Sequence, residues 1–215
     1  MGKAVKPRRD YHSPRRAEQA SATRRAILDA ASDLFVEGGY VTTTMQAIAE
    51  KAGISPATVY ATFVTKRAVL SALVDISIAG DDAPVAILDR PWVAVLRGEP
   101  DLGRRIGLLA HHGRLMLARR SPVDEVLRAA AAADPEIAAM WEQAKAQRFI
   151  GQRALLGIVA GPGRRLAGEA ADAIYAIGSP ETYQLLVRDR GWSPARFERW
   201  YAKSIAGLIG FGAPV

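Results

Sequence analysis

TTMQAIAEKAGISPATVYATFVTK, running from Thr43 to Lys66, decides the fold of this chain. It reads as two short helices joined by a tight turn, followed by the start of a third. Thr43 is placed to cap the first helix, and Gln46 follows at the spacing of a capping box. Met45, Ile48, Ala49 and Ala52 recur at i, i+3, i+4 and i+7 and form one apolar face. Gly53 stops that helix, because the left-handed backbone of such a stop is cheap for glycine. Ser55–Pro56 starts the next: the hydroxyl accepts from free N–H groups, and proline loses nothing at the first helical position. Val59 and Phe63 point to a core, and small Ala49 marks a close helix crossing. The pattern is a helix-turn-helix whose second helix, short and polar outside, suits a DNA major groove.

Working outward, the charge is unevenly placed. The chain has 215 residues and a formal net charge of +7. Its first 70 residues hold 11 Lys/Arg and 6 Asp/Glu, leaving 18 and 16 for the remainder. A basic first third on a nearly neutral remainder fits either a nucleic-acid module joined to something else or a solvated basic tail; the helix-turn-helix favours DNA. There is no cysteine, which excludes disulfides and thiolate metal sites and fits a cytoplasmic protein. No apolar run reaches 18 residues, so no membrane span is expected. The charged N-terminus lacks the apolar stretch of a secretory signal.

The rest of the chain reads as helix throughout, and the expected fold is all-α. Residues 1–16, basic and proline-containing, read as a disordered arm, with Ser13–Pro14 as an alternative start of the first helix. Residues 17–65 form a helix-turn-helix head, and residues 66–215 a helical bundle for ligand binding and dimerisation. Ser121–Pro122, Asp134–Pro135, Ser179–Pro180 and Ser193–Pro194 repeat the device of Ser55–Pro56, each signalling a helix start. The helices expected are 17–37, 44–51, 56–62, 66–79, 102–119, 123–132, 135–160, 165–177, 180–190 and 194–209. Residues 80–101 are irregular, with a short helix near Trp92 to Leu96.

The order of a 20-residue helix, GGY, TT, IAEKAG, SPATVY, F and TK before a long apolar helix resembles the tetracycline-repressor (TetR) family of transcription regulators. The resemblance is specific over residues 20–75. It implies a ligand-responsive, sequence-specific regulator, most often a repressor, that binds a palindromic operator as a homodimer. Carried over residue by residue, it places Thr43 and Thr44 at one phosphate and Thr65 and Lys66 at another. Tyr60 would reach a phosphate through its hydroxyl. Ser55, Pro56, Ala57, Thr58 and Ala61 lie on the exposed face of the recognition helix, where small apolar groups can meet thymine methyls. Ala61 stands where the family often has a bulky residue, so one phosphate contact is in doubt. Arg8, Arg9, Arg15 and Arg16 would either enter a flanking minor groove or attract phosphate non-specifically.

Two further surfaces are expected. The middle helices carry more large side chains than a connector needs, so a small apolar effector could sit among His111, Leu115, Met116, Met140, Trp141, Tyr175 and Tyr183; core packing is the alternative for each. Ala170, Ile174, Phe197, Trp200, Tyr201, Ile205 and Leu208 form stripes that either pair two subunits or pack inside one chain. His111 and His112 are adjacent, face apart on a helix and form no bidentate metal pair. No metal, cofactor or catalytic constellation is expected. The competing reading is a helical small-molecule-binding protein without operator function; an α-helical enzyme is a third.

Overall fold

Helix follows helix from Pro14 to Gly210 in the computed structural model, which describes residues 14–163 and 166–210. The head comprises α1 (Pro14–Gly38), α2 (Met45–Ala52) and α3 (Pro56–Thr62). Then come α4 (Lys66–Ala79), α5 (Pro91–Gly98), α6 (Leu102–Ala131), α7 (Pro135–Ala160) and α8 (Gly168–Ile177). The short α9 (Pro180–Tyr183) runs into a π-helical turn, Gln184–Asp189, and α10 (Pro194–Gly210) closes the bundle. No strand occurs among the described residues, and none of their helices is long and apolar enough to cross a membrane.

Most starts and stops follow the local chemistry. Ser55, Asp134 and Ser179 each cap the following helix through the side chain, with proline in the first turn. Ser193 Oγ accepts from the Arg196 N–H at the start of α10. Gly53 and Gly80 end α2 and α4 in the left-handed region, at φ 66° and 90°.

Two expectations are corrected. The arm was drawn to residue 16, but α1 begins at Pro14, so Arg15 and Arg16 sit exposed in its first turn. Residues 1–13, with Arg8 and Arg9, lie outside the described residues. Residues 102–119 and 123–132 are one helix, with Pro122 inside it. Proline there removes one helical hydrogen bond and costs about 3 kcal/mol in an isolated helix. Here Leu117, Val123, Val126 and Leu127 are buried on both sides of it, and packing holds the helix through the defect.

Two cores organise the molecule. The first joins Ile27, Phe35, Ile48, Val59 and Leu70 of the head and α4 to Val123, Val126, Leu127 and Ala130 of α6 and Ile137 of α7. The head is therefore seated on the second half of α6. The second core joins α5, the first half of α6, the end of α7, α8, α9 and α10 around Phe197. Tyr201 of α10 fits against Gly113 of α6 and Gly178: a Cβ on Gly178 would stand 2.9 Å from the Tyr201 ring carbon Cζ. Burial pushes the Tyr201 phenol well above its ordinary range.

Candidate nucleic-acid interface

Three successive helices, α2, α3 and α4, each start on a side-chain cap. Thr44, not Thr43, caps α2, its Oγ1 accepting from the Ala47 N–H at 3.0 Å. Ser55 caps α3, and Thr65 caps α4 by accepting from the Ala68 N–H at 3.1 Å. A threonine that accepts a cap bond still has its own O–H to donate. The helix end adds unpaired backbone N–H groups and a partial positive charge. Thr44 and Thr65 are both exposed, so each pairs a free donor with a helix N-terminus.

Between them, α3 presents its outer surface. Ala57, Thr58, Tyr60 and Ala61 are exposed and Pro56 is half-buried, while Val59 and Phe63 are buried against α1 and α2. Tyr60 is 52% exposed, its phenol ring free of the core. Ser55 and Thr58 hydroxyls hydrogen-bond each other at 2.8 Å, so their polar atoms are partly engaged and the Thr58 methyl is the more available group. Sequence reading missed two neighbours. Val41, in the turn before α2, is 68% exposed, and Val64, in the turn before α4, is 79% exposed. Valine in threonine-rich turns was the available signal.

Two residues assigned to phosphates do other work. Thr43 is buried, and its hydroxyl donates to the Gly39 carbonyl at 2.8 Å, with the Leu34 carbonyl at 3.3 Å. It closes the turn after α1, and no capping box forms because the cap is Thr44, with Ala47 three residues on, while Gln46 Nε2 donates to Glu50. Lys66 Nζ donates to the carbonyls of Tyr40 and Thr43, each at 2.7 Å, and approaches that of Val41 at 3.3 Å. It also lies 4.3 Å from the centre of the Tyr40 ring. Three N–H donors meet three carbonyls, so this ammonium fastens the α1–α2 turn to α4. Partial burial lowers its pKa and that of the neighbouring lysine-facing phenol, Tyr40, is raised by burial.

The head also carries cations that are already paired. Lys51 bridges to Asp33, and Arg24 donates to Asp82 at 2.7 Å while lying 4.5 Å from the centre of the Phe63 ring. Arg67 pairs with Glu136 of α7. The arrangement favours anion binding by helix ends and hydroxyls over binding by a dense patch of free lysines.

The side chains named for an effector do not converge. Tyr183 is buried edge-on against Phe197, and Met116 packs on the second core. Met140 packs on the first. Tyr175 meets Phe149 edge-to-face and its hydroxyl donates to the Lys145 carbonyl. His111 pairs with Glu198 at the surface, and Leu115 is half-buried on the same helix. Of the seven, Trp141 lines a cleft of about 300 Å³ between α6, α7 and α9.

The stripes named for pairing subunits mostly close the chain's own core. Ala170, Ile174, Phe197, Tyr201 and Ile205 are buried inside the subunit. They face inward because α8 and α10 pack on each other and on α6. Trp200 and Leu208 remain half-buried.

Comparison with known proteins agrees with this geometry. Residues 27–73 match the family described as bacterial regulatory proteins, tetR family. The HTH-type transcriptional regulator UidR of Escherichia coli is 39% identical over 56 residues, which are 26% of this chain and 29% of that protein's length. A TetR-family regulator from Mesorhizobium loti superposes with a TM-score of 0.62 at 20% identity, covering 91% of this chain and 99% of the other. A transcriptional regulator from Saccharomonospora viridis, solved in complex with choline, gives 0.61 at 21% identity over 86% and 96% of the two chains. The head of this chain is similar, over residues 27–73, to the tetracycline-repressor (TetR) family of bacterial regulatory proteins, and the whole chain shares its all-helical fold with solved regulators.

Proposed function

We propose that this protein is a DNA-binding transcription regulator that acts as a homodimer on a palindromic operator and releases it, as a repressor would, when a small molecule binds the bundle. The observation that carries the DNA reading is the pair of capped, exposed helix starts at Thr44 and Thr65, one before and one after the exposed α3 in the chain. Each can hold a phosphate oxygen through backbone N–H groups and a threonine O–H. With both phosphates held, α3 lies in the groove between them. Ala57, Ala61, Val64 and the Thr58 methyl then meet base edges through apolar contact. No Arg, Asn or Gln lies on α3 to read a base through two hydrogen bonds, so discrimination rests on thymine methyls and DNA shape. Tyr60 supports one further phosphate, and Arg15 and Arg16 lie where α1 begins, beside any flanking groove.

One head contacts few base pairs, so two are needed for useful affinity. Trp200 and Leu208, half-exposed on α10, and the outer face of α8 support pairing of two subunits there. Such a regulator works in the cytoplasm. The choline complex of a protein with this fold supports a small-molecule effector. The test is a mobility-shift titration with duplex from the region upstream of the protein's own gene, repeated across salt. A specific complex with two subunits per duplex, weakening steeply with salt, is expected. Equal affinity for operator-region and random duplex would overturn the regulator reading in favour of a ligand binder.

A further inference from the structure

The cleft between α6, α7 and α9 carries polar groups that folding alone does not explain. Ser121, which lines the cleft, is 1% exposed, and its buried Oγ has no hydrogen-bond partner among the described residues. A serine within a helix ordinarily bonds back to a carbonyl one turn earlier, and a buried hydroxyl left unpaired is costly. One turn on, Asp124 is 5% exposed, and its Oδ1 accepts from Arg120 Nε at 2.5 Å. Glu125, Glu181 and Asp189 add three more carboxylates to the lining, against a single guanidinium, that of Arg128.

Neighbouring arginines answer these carboxylates only in part. Arg188 reaches one oxygen of Glu125 at 3.1 Å from a largely exposed position. Arg148 stops 3.9 Å from Glu181, beyond hydrogen-bond range, and its Nη1 is itself buried without a partner. Trp141, half-buried, supplies an aromatic wall. The negative face of an indole attracts a cation, most strongly where water is partly excluded.

We infer that this cleft binds a small organic cation, its charged group beside Asp124, Glu125 and Glu181, its apolar part against Trp141, and a polar substituent on Ser121 Oγ. This deepens the effector reading above and rests on it only for the consequence at DNA. The volume, about 300 Å³, suits a compact ligand rather than an extended one.

The placement also connects the cleft to the head. Ser121, Asp124 and Arg128 face the cleft from α6, while Val123, Val126, Leu127 and Ala130 of the same stretch pack with Ile27, Phe35 and Leu70. Trp141 likewise lines the cleft and packs on the first core. A cation drawn to Asp124 competes with Arg120 for the same carboxylate and pulls on the helix segment that seats α1 and α4. Small shifts of such a packed segment move both heads of a dimer, provided the ligand binds the two arrangements unequally.

The experiment uses the full chain, calorimetric titration and thermal melting. The probes are choline, tetramethylammonium and benzyltrimethylammonium, with 3,3-dimethylbutan-1-ol as the neutral isostere of choline and 3,3-dimethylbutyrate as an anion. At least one cation is expected to bind and raise the melting temperature, with the neutral and anionic probes weaker by about tenfold or more. Glu125→Gln and Glu181→Gln, both at the accessible rim, should each weaken the cation. Ser121→Ala should weaken choline and leave tetramethylammonium unchanged. Binding of the neutral isostere as tightly as choline, cation affinity indifferent to both glutamate variants, or no binding by any probe would overturn the inference. A mobility shift run with the bound cation separates the two readings: unchanged operator affinity leaves the cation site standing and removes the effector switch.

Discussion

Replacing Lys66 with methionine separates two roles that look alike in sequence. If Lys66 held a phosphate, Lys66→Met would fold as before and bind DNA with a shallower salt dependence. The structure instead aims the ammonium at the carbonyls of Tyr40, Val41 and Thr43. Methionine keeps the aliphatic stem and removes all three donors. Hydrogen bonds to a charged group contribute about 1.5–3 kcal/mol each when buried. These carbonyls are half-exposed and water can replace part of each bond, so about 1 kcal/mol apiece, or about 3 kcal/mol in all, is the working figure. For a chain of this size that lowers the melting temperature by about 6–12 °C. DNA affinity should fall at every salt concentration, because the α1–α2 turn positions Thr44. The slope of log affinity against log salt should stay as it was. Each lost phosphate contact would instead lower it by about 0.9, or about 1.8 for a dimer. Melting measured by circular dichroism and titration across salt give the two readings independently. Unchanged melting with a reduced slope would refute the reasoning and return Lys66 to the phosphate.

Four other substitutions probe the bundle. Gly178→Ala places a methyl group against the buried Tyr201 ring and Gln152, so a loss of about 1–3 kcal/mol is expected by chemical denaturation; a neutral effect would mean α8 and α10 pack less closely than described. Ile205→Asp should abolish the cooperative fold, since Ile205 is fully buried, whereas Trp200→Asp should leave the subunit helical and, if α10 pairs subunits, make it monomeric by light scattering; a folded monomer from Ile205→Asp would contradict its place in the core. His112 stacks on Trp92 at 4.4 Å, and burial, with His111 and Arg119 nearby, lowers its pKa. A lowered folded value means its contribution is present above the ordinary imidazole pKa and is lost as pH falls through the folded one. The melting temperature should therefore drop on mild acidification, and less so in His112→Phe, which keeps the stack; equal slopes in both proteins would assign the pH response elsewhere.

What was readable from sequence divides by range. Caps, glycine stops and the period of α2 act within four residues, so the helix-turn-helix was visible at once. Thr43 and Thr44 are the limiting case: either could cap α2, and the choice is made by the Gly39 and Leu34 carbonyls, which only the folded turn brings to Thr43. Serine–proline pairs show the same limit. Ser55, Ser179 and Ser193 start helices, yet Ser121–Pro122 lies within one, since burial on both sides of α6 outweighs a local break. Partners farther along the chain were invisible. Lys66 is 26 residues from Tyr40, and nothing in its neighbourhood distinguishes a lysine reaching out to phosphate from one reaching back to carbonyls. The apolar stripe of α10 is ambiguous for the same reason: Phe197, Tyr201 and Ile205 would serve a partner subunit equally well. What commits Tyr201 to its own chain is the absence of a side chain at Gly113 and Gly178, far apart in sequence and both needed to admit the ring. The cleft beside Ser121 follows the same logic. Its carboxylates come from α6, α9 and the turn after it, so their convergence is a property of the packing, and scattered along the chain they read as polar helix faces. Local chemistry therefore announces the element proposed to meet DNA, while the groups that would govern it are assembled from contacts between distant segments.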